Sequence, residues 1–437
     1  MTPKLVVLLS CSLVVLKNKT MKKLLLIICF LTSISVGKAQ TKEDLLLSAQ
    51  KAYWSADYRK AYSLFSSLDS TMHDFYYYDL WYYYASAEIV DKYYPEISID
   101  SAKVEDLLYR LVQSNGIERR WLNSKFTNDI KLHERSYWSK LDSIVTIMEN
   151  NRCQAFIDSL VIMEKLDQTI RNLEWSEETA RQMEIIDSTN TAKLIGLIEE
   201  YGFPTWKLVG QDGNMKAWII AQHSSEYLPI FLKQYRKAVD ENNASRRELA
   251  YLEDRYLIEN DSLQIYGTQF LYNVKDSTAY LYATVDMEHL DDRRISVDLN
   301  PMDEYLKRAQ FGNVDLYTDA KIRTMTSFDT LAKFLDSGSY HLFWNNHIKK
   351  LISKKAETLT KEDYQDFFSW LFKQVECGNY HRFDYAELYD EVHYRLFKTS
   401  YYGQKDFGKK VRIYKPKQLE SRRSEIKLQS LELISNE

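Results

Sequence analysis

The sequence predicts a mainly α-helical protein: a helical-repeat N-terminal region, then a helical domain with one short extended segment, then a degenerate second copy of that domain. Three observations predict it. Apolar residues recur at helical spacing through most of the 437 residues. Only 12 glycines and 6 prolines are present, too few for the turns of an all-β fold. Alternating, β-rich sequence is confined to one stretch, "DSTAYLYATV" at Asp276–Val285. With 45% hydrophobic residues the chain has ample material for a core, and its length suggests two or three domains.

From the N-terminus, "MKKLLLIICFLTSISVGKAQ" (Met21–Gln40) has a lysine pair, a short apolar core and small residues at Gly37 and Ala39. That is the layout of a secretory signal peptide cleaved after Ala39, with Met21 as the true start. Residues 1–39 are read as this leader and the mature protein as periplasmic or secreted, with no stable membrane span. A membrane-anchored form using both early apolar runs is the rival reading. Cleavage removes six lysines and no acid, leaving 52 basic against 62 acidic residues and a formal net charge of −10. Such a chain is not built for nucleic acid. The two remaining cysteines, Cys153 and Cys377, make no disulfide framework and no C-x-x-C motif. They are expected free and buried, with pairing to each other as the alternative.

Residues 40–149 read as helices in pairs. "LLLSAQKAYWSADYRKAYSLFSSL" (Leu45–Leu68) places small residues at Ala49 and Ala52, a turn at Asp57–Tyr58, then Ala61 and Phe65. This resembles one tetratricopeptide unit of about 34 residues. Ala56 stands where that repeat has glycine. Stacked helix pairs of this kind bind peptides or proteins, so a protein partner is expected here. The run "FYYYDLWYYYA" (Phe75–Ala85) puts Tyr77, Trp81 and Tyr84 on one helix face, with Tyr78 and Tyr82 flanking. It is read as core and rim rather than as a platform for sugars or bases.

Residues 150–310 are the most distinctive block. "CQAFIDSLVIMEKLDQTIRNL" reads as a helix. "STNTAKLIGLIEEYGFPTW" reads as a helix capped by its Ser/Thr/Asn cluster and stopped at Gly202. A third helical region is interrupted near Pro229, a fourth covers "SRRELAYLEDRYLIEND", and helix returns at Met302–Ala309. Through "LDQTIR" (Leu166–Arg171), "YGFP", "AQHS" (Ala221–Ser224), "LEDR" (Leu252–Arg255), "QIYGTQ" (Gln264–Gln269) and "DDRRISVDLNPMDEYL" (Asp291–Leu306), this block resembles the bacterial family catalogued as domain of unknown function 6624. The resemblance implies a mostly helical, often exported domain, and implies no activity.

The polar residues of these motifs are the candidate site. Asp167 and Arg171 are one helical turn apart and can pair. Asp254 and Arg255 are adjacent, so they point to different sides. Gln168, Gln222, Gln264 and Gln269 bring amide heads with two donors and two acceptors, and Thr268 a hydroxyl. Either these groups stitch an irregular loop to four helices, or they converge on a cleft for a small polar or anionic ligand. In the second case Arg171 and Arg255 suit a carboxylate or phosphate, and His223 is the natural acid or base. His223 and Glu226 have a spacing used by helical metal ligands, but no partner pair accompanies them. No metal or cofactor is expected, and neither a phosphate loop nor a nucleophile elbow is present.

Residues 311–437 echo the block before them. Asp254 matches Asp390, and Tyr266–Gly267 match Tyr402–Gly403; "LDDRRISVDL" (Leu290–Leu299) matches "LESRRSEIKL" (Leu419–Leu428) after a shorter connection. His347 is read as an echo of His223. Arg255 becomes Glu391, and "DQTIR" has no counterpart, so Arg171, Arg255 and Gln168 become the functional candidates and the arginine pairs structural ones. The leading expectation is an exported binding or scaffold protein of the envelope. The competing one is a hydrolase-type enzyme with His223 as acid/base and Arg171 or Arg255 clamping an anionic substrate.

Overall fold

The computed structural model describes residues 41–69, 75–174, 176–273, 278–311, 313–337, 345–405 and 411–428. The proposed leader lies outside them. The chain falls into two compact units, residues 1–108 and 109–437. Both are dominated by helices, as the periodicity predicts. No helix among the described residues is long and apolar enough to cross a membrane.

The first unit opens with α1 (Lys42–Trp54) and α2 (Tyr58–Asp69), a helix pair joined by a tight turn. Thr41 and Asp44 cap α1 reciprocally, each side chain accepting from the other residue's amide. Ala49, Ala52, Ala61, Phe65 and Leu68 are buried, so the residues that carried the repeat pattern do form its packing face. α3 (Tyr77–Tyr93) differs from expectation. Tyr77, Tyr82, Tyr83 and Tyr84 are all buried, together with Asp79 and Glu88, so the helix is enclosed on most sides. Its two buried acids are paired: Gln50 Nε2 donates to Asp79 Oδ1 at 2.7 Å and Tyr84 OH to Glu88 Oε1 at 2.8 Å. α4 (Ser101–Val112) comes after it.

The second unit passes through the short helices α5 (Arg119–Leu122) and α6 (Lys125–Asp129) into α7 (Trp138–Asn150). Five longer helices come next: α8 (Gln154–Arg171), α9 (Glu177–Tyr201), α10 (Trp206–Ala221), α11 (Leu228–Asp240) and α12 (Arg246–Glu259). Phe156, Leu160, Met163, Leu194, Phe231, Tyr235 and Leu252 form their shared core. The Ser/Thr/Asn cluster at 188–191 is not a cap. α9 begins eleven residues earlier, where Ser176 and Thr179 make the capping box, and runs unbroken to Gly202. The cluster survives inside a helix because part of it faces a polar seam against α8. The interruption expected near Pro229 is a true break, with Pro229 in the first turn of α11, where its missing N–H costs nothing.

The extended segment is a small sheet. β1 (Phe270–Asn273) pairs antiparallel with β2 (Thr278–Leu281), Phe270 opposite Leu281, and β2 pairs parallel with β3 (Asn313–Asp315). α13 (Leu290–Ser296) and α14 (Met302–Ala309) lie between β2 and β3 in sequence. The chain then forms α15 (Thr318–Arg323), α16 (Phe328–Asp336), α17 (Asn346–Glu357), α18 (Tyr364–Glu376) and α19 (Arg382–Phe397). It ends with β4 (Thr399–Ser400), the parallel β5 (Arg412–Ile413) and α20 (Leu419–Glu425). Ile352, Phe368, Leu371, Tyr385, Tyr389 and Tyr402 lie in the core here. Cys153 and Cys377 form no disulfide and are half-buried.

One arrangement occurs twice. Asp254, fully buried on α12, accepts from the amides of Ile265 (2.7 Å), Tyr266 (3.0 Å) and Thr268 (2.9 Å) and from the Thr268 hydroxyl (2.9 Å). Asp390, fully buried on α19, accepts from the amides of Tyr401 (2.6 Å), Tyr402 (2.7 Å), Gln404 (2.6 Å) and Lys405 (3.2 Å). Arg294 donates to Tyr266 O at 2.7 Å; Arg423 donates to Tyr402 O at the same distance. Arg293 reaches Ile265 O at 2.9 Å, and Arg422 reaches Tyr401 O at 2.8 Å. Gly267 and Gly403 take φ of +64° and +66°. At Gly267 a side chain would also meet Met302 Cε at 2.8 Å. Each turn is thus drawn onto a carboxylate from one side and onto an arginine pair from the other.

Two stability outcomes are expected. Ala56 holds φ +60°, a conformation that costs an L-residue about 1 kcal/mol, so Ala56→Gly should raise unfolding free energy in urea titration by roughly 0.5–1 kcal/mol. Asp254→Asn and Asp390→Asn each turn an amide N–H group toward donors and should each cost about 3 kcal/mol or more, measured the same way.

Candidate functional site

The residues singled out from sequence divide into two sets, and α12 carries a member of each on different faces. Asp254, Gln264, Thr268 and Gln269 belong to the first of the latched turns. Gln264 is fully buried, donates to Tyr282 O (2.8 Å) and Gln269 O (3.2 Å), and accepts from Gln269 N (3.0 Å). Gln269 donates to the Thr268 hydroxyl at 3.1 Å. Every polar atom of the Asp254 carboxylate and the Gln264 amide is therefore committed to the fold. Of the two uses the sequence left open for these four, stitching a loop or meeting a ligand, the side chains of Asp254, Gln264 and Thr268 make the bonds of the first, because a loop inside a helical domain must satisfy its amides internally; Gln269 joins them through its backbone and the Thr268 hydroxyl.

Asp167, Gln168, Arg171, Gln222, His223 and Arg255 form the second set. α8 presents the first three, the turn leaving α10 carries Gln222 and His223, and α12 presents Arg255. Asp167 is 1% exposed. It accepts from Arg171 Nε at 3.1 Å and Gln168 Nε2 at 2.7 Å, and His223 Nε2 stands 3.7 Å from its Oδ1, beyond hydrogen-bonding distance. Arg171 reaches across to Asp187 on α9. Burial opposes the Arg171 charge, but the hydrogen bonds and charges of Asp167 and Asp187 outweigh it and raise its pKa. Arg171 is thus a bridge between two helices rather than the free anion clamp the sequence suggested.

Arg255 differs. Its side chain is 32% exposed, and its contacts are long: 3.4 Å to Gln222 Oε1 and 3.4 Å to Glu259 Oε1. Both cations act on His223. Burial lowers its pKa to about 4; Arg171 and Arg255 push the same way and Asp167 opposes them. At neutral pH the imidazole is uncharged. The spacing of His223 and Glu226 lies in a turn, not on a helix, so the helical metal-ligand geometry does not apply. Among the described residues no group of three His, Cys, Asp or Glu side chains is placed to hold a metal ion.

Five residues were not among those singled out from the sequence. Asp187 lies on α9, where Asn190 and Thr191 share its face. Asn190 Nδ2 donates to Met163 O at 3.1 Å, tying α9 to α8. Asn190 Oδ1 and Thr191 Oγ1 are buried without a protein partner, as where ordered water bridges a polar seam. The signal was visible as cap-type residues within an otherwise periodic helix, but capping claimed it. Tyr282 and Glu259 were missed because nothing local marks them. With Ile258, Asp261, Arg323, Asn345 and Asn346 they line a cleft of about 160 Å³. Burial raises the Tyr282 pKa, while the charges of Arg323 and Arg255 oppose the rise.

The His223 shift has a pH signature. The unfolded chain protonates this imidazole near pH 6.5 and the native chain only near 4, so between those values the unfolded state binds the extra proton. Its contribution to stability is complete above about pH 6.5 and is lost as pH falls toward 4, by on the order of 3 kcal/mol at most. His223→Gln should flatten this part of a urea-derived stability–pH curve relative to the parent chain.

No curated protein matches the chain, and no solved structure does. Residues 155–313, which run from α8 to β3 and hold both the latched turn and the polar cluster, match the family of unknown function DUF6624, so the chain carries a domain of that family.

Proposed function

We propose that this domain is a binding module, within an exported helical protein, for a small polar ligand carrying an acidic group. The observation that carries the reading is the contrast between the two arginines of the cluster. Arg171 is held by two carboxylates, whereas Arg255 has only long contacts and stands partly exposed beside neutral His223. A carboxylate or phosphate can draw such a guanidinium into a bidentate contact with little displacement. His223 would supply a neutral donor or acceptor, and Arg255 touches the cleft lined by Glu259 and Tyr282 through Glu259. The Asp167–Arg171–Asp187 bridge would keep α8, α9 and the His223 turn in place. The N-terminal helix pairs would hold a protein partner in the envelope or outside the cell.

The hydrolase reading has less support. An imidazole with a pKa near 4 is a weak general base at neutral pH. Its nearest carboxylate, Asp167, stands 3.7 Å away and is already engaged by Arg171 and Gln168.

Calorimetric titration of the mature chain with citrate and with inorganic phosphate tests the proposal. Saturable binding is expected for one of them, weakened at least tenfold in Arg255→Ala, with that variant melting within about 2 °C of wild type. Binding that survives both Arg255→Ala and His223→Ala unchanged would refute it, as would no response to either anion. Asp167→Ala, in contrast, should lower stability by about 2 kcal/mol, because it removes one of the two carboxylates that hold Arg171 and leaves only Asp187.

A further inference from the structure

We infer that residues 206–299 and 346–428 are two copies of one module, and that the second copy has its ligand position filled by its own side chains; this second part rests on the binding function proposed above. The correspondence extends well beyond the latched turns. α11 (228–240) and α18 (364–376) have equal length at a constant offset of 136 residues. Asn242 and Gly378, at that offset, both take positive φ, and the following amides, Asn243 and Asn379, donate to Ala238 O and Gln374 O at 2.8 Å each. The bridge Gln264–Thr284 corresponds to the pair Ser400–Ile413, both parallel. Asp298 and Lys427 again share positive φ, and Leu299 N and Leu428 N donate to the carbonyls of Arg294 and Arg423. Chance resemblance between charged helices does not reproduce caps, bridges and left-handed residues in order.

The same offset locates the site in the second copy. α10 ends at Ala221 and α17 at Glu357, and His223 N→Ile220 O becomes Leu359 N→Ala356 O. His223 therefore corresponds to Leu359, which is 2% exposed, and not to His347, which lies at the opposite end of α17. Arg255 corresponds to Glu391, and Glu259 to Arg395. Arg395 Nη2 donates to Ala356 O at 3.1 Å and Leu359 O at 2.7 Å, closing the carbonyl end of α17. In the first copy Glu259 occupies that sequence position and accepts from Arg255 Nε at 3.4 Å, and a carboxylate cannot donate to the carbonyls that end α10 as Arg395 does for α17. A ligand of the first copy would take the volume that Leu359 and the Arg395 guanidinium take in the second. Glu259 is then the residue that keeps the site open.

The test carries the second copy's residues into the first. In the full mature chain, His223→Leu, Arg255→Glu and Glu259→Arg together should melt no more than about 4 °C below wild type, since they reproduce packing the chain already contains, and should lose at least tenfold in affinity for citrate or phosphate. In the second copy, Arg395→Glu should lower the melting temperature by several degrees by uncovering the end of α17. A larger fall for the triple variant, retained anion binding by it, or an Arg395→Glu variant that melts like wild type would each overturn the inference. Absence of anion binding by the wild-type chain sinks the proposed function alone, since the two melting experiments judge the copies without a ligand.

Discussion

A buried carboxylate that receives several backbone amides is the constraint on which the C-terminal unit depends. Asp254 sits on a helix, and among the described residues its carboxylate is met by three N–H groups and a hydroxyl from one turn and by no cationic side chain. Such an arrangement is costly to assemble and costlier to leave incomplete, since every donor would be stranded if the acid were lost. It therefore fixes the turn, and the turn fixes the helix that closes on it. The carbonyls on its far side are taken by Arg293 and Arg294, which hold α13 against it. Asp390 with Arg422 and Arg423 does the same for α20. Helix, turn and closing helix become one unit through polar contacts rather than through apolar area alone.

This economy explains why adjacent residues on α12 have different fates. Asp254 faces inward to the turn, and Arg255, one residue on and about 100° around the helix, faces the His223 turn. The rigid side supports the adaptable side. A cluster containing Asp167, Arg171, Asp187, Arg255 and Glu259 would be loose if all its members were mobile. Here Arg171 is clamped between two helices while Arg255 retains freedom, so one part of the cluster holds geometry and another can respond to an incoming charge.

Several elements were legible from residue patterns alone. The Ala49–Ala52–Ala61–Phe65 pattern marks a packed helix pair, Met302–Ala309 is helical as read, and Asp167 and Arg171 pair across one turn. Each is a local relation, settled within a few residues by helical spacing. The boundary of α9 was not legible, because Ser188–Thr191 has the composition of a cap and only the facing helix α8 reveals the use of those side chains. The enclosure of α3 was likewise hidden, since periodicity shows a preferred face but not how many neighbours surround it.

The sequence by itself determined the helical class and the matching of Asp254 with Asp390 and Gly267 with Gly403, because spacing and residue type are preserved along the chain; it also singled out a set of polar residues. Only the tertiary structure decided which of those polar residues are spent. Gln264, Thr268 and Asp254 look as suitable for a ligand as His223 and Arg255 do, yet the turn's amides and carbonyls consume the first three. The match of His223 with Leu359 was also decided there: the shared helix ends set the register, and a histidine and a leucine leave no trace of kinship in residue type. Hydrogen-bonding capacity is written in the side chain, but whether it remains available depends on partners brought from distant parts of the chain.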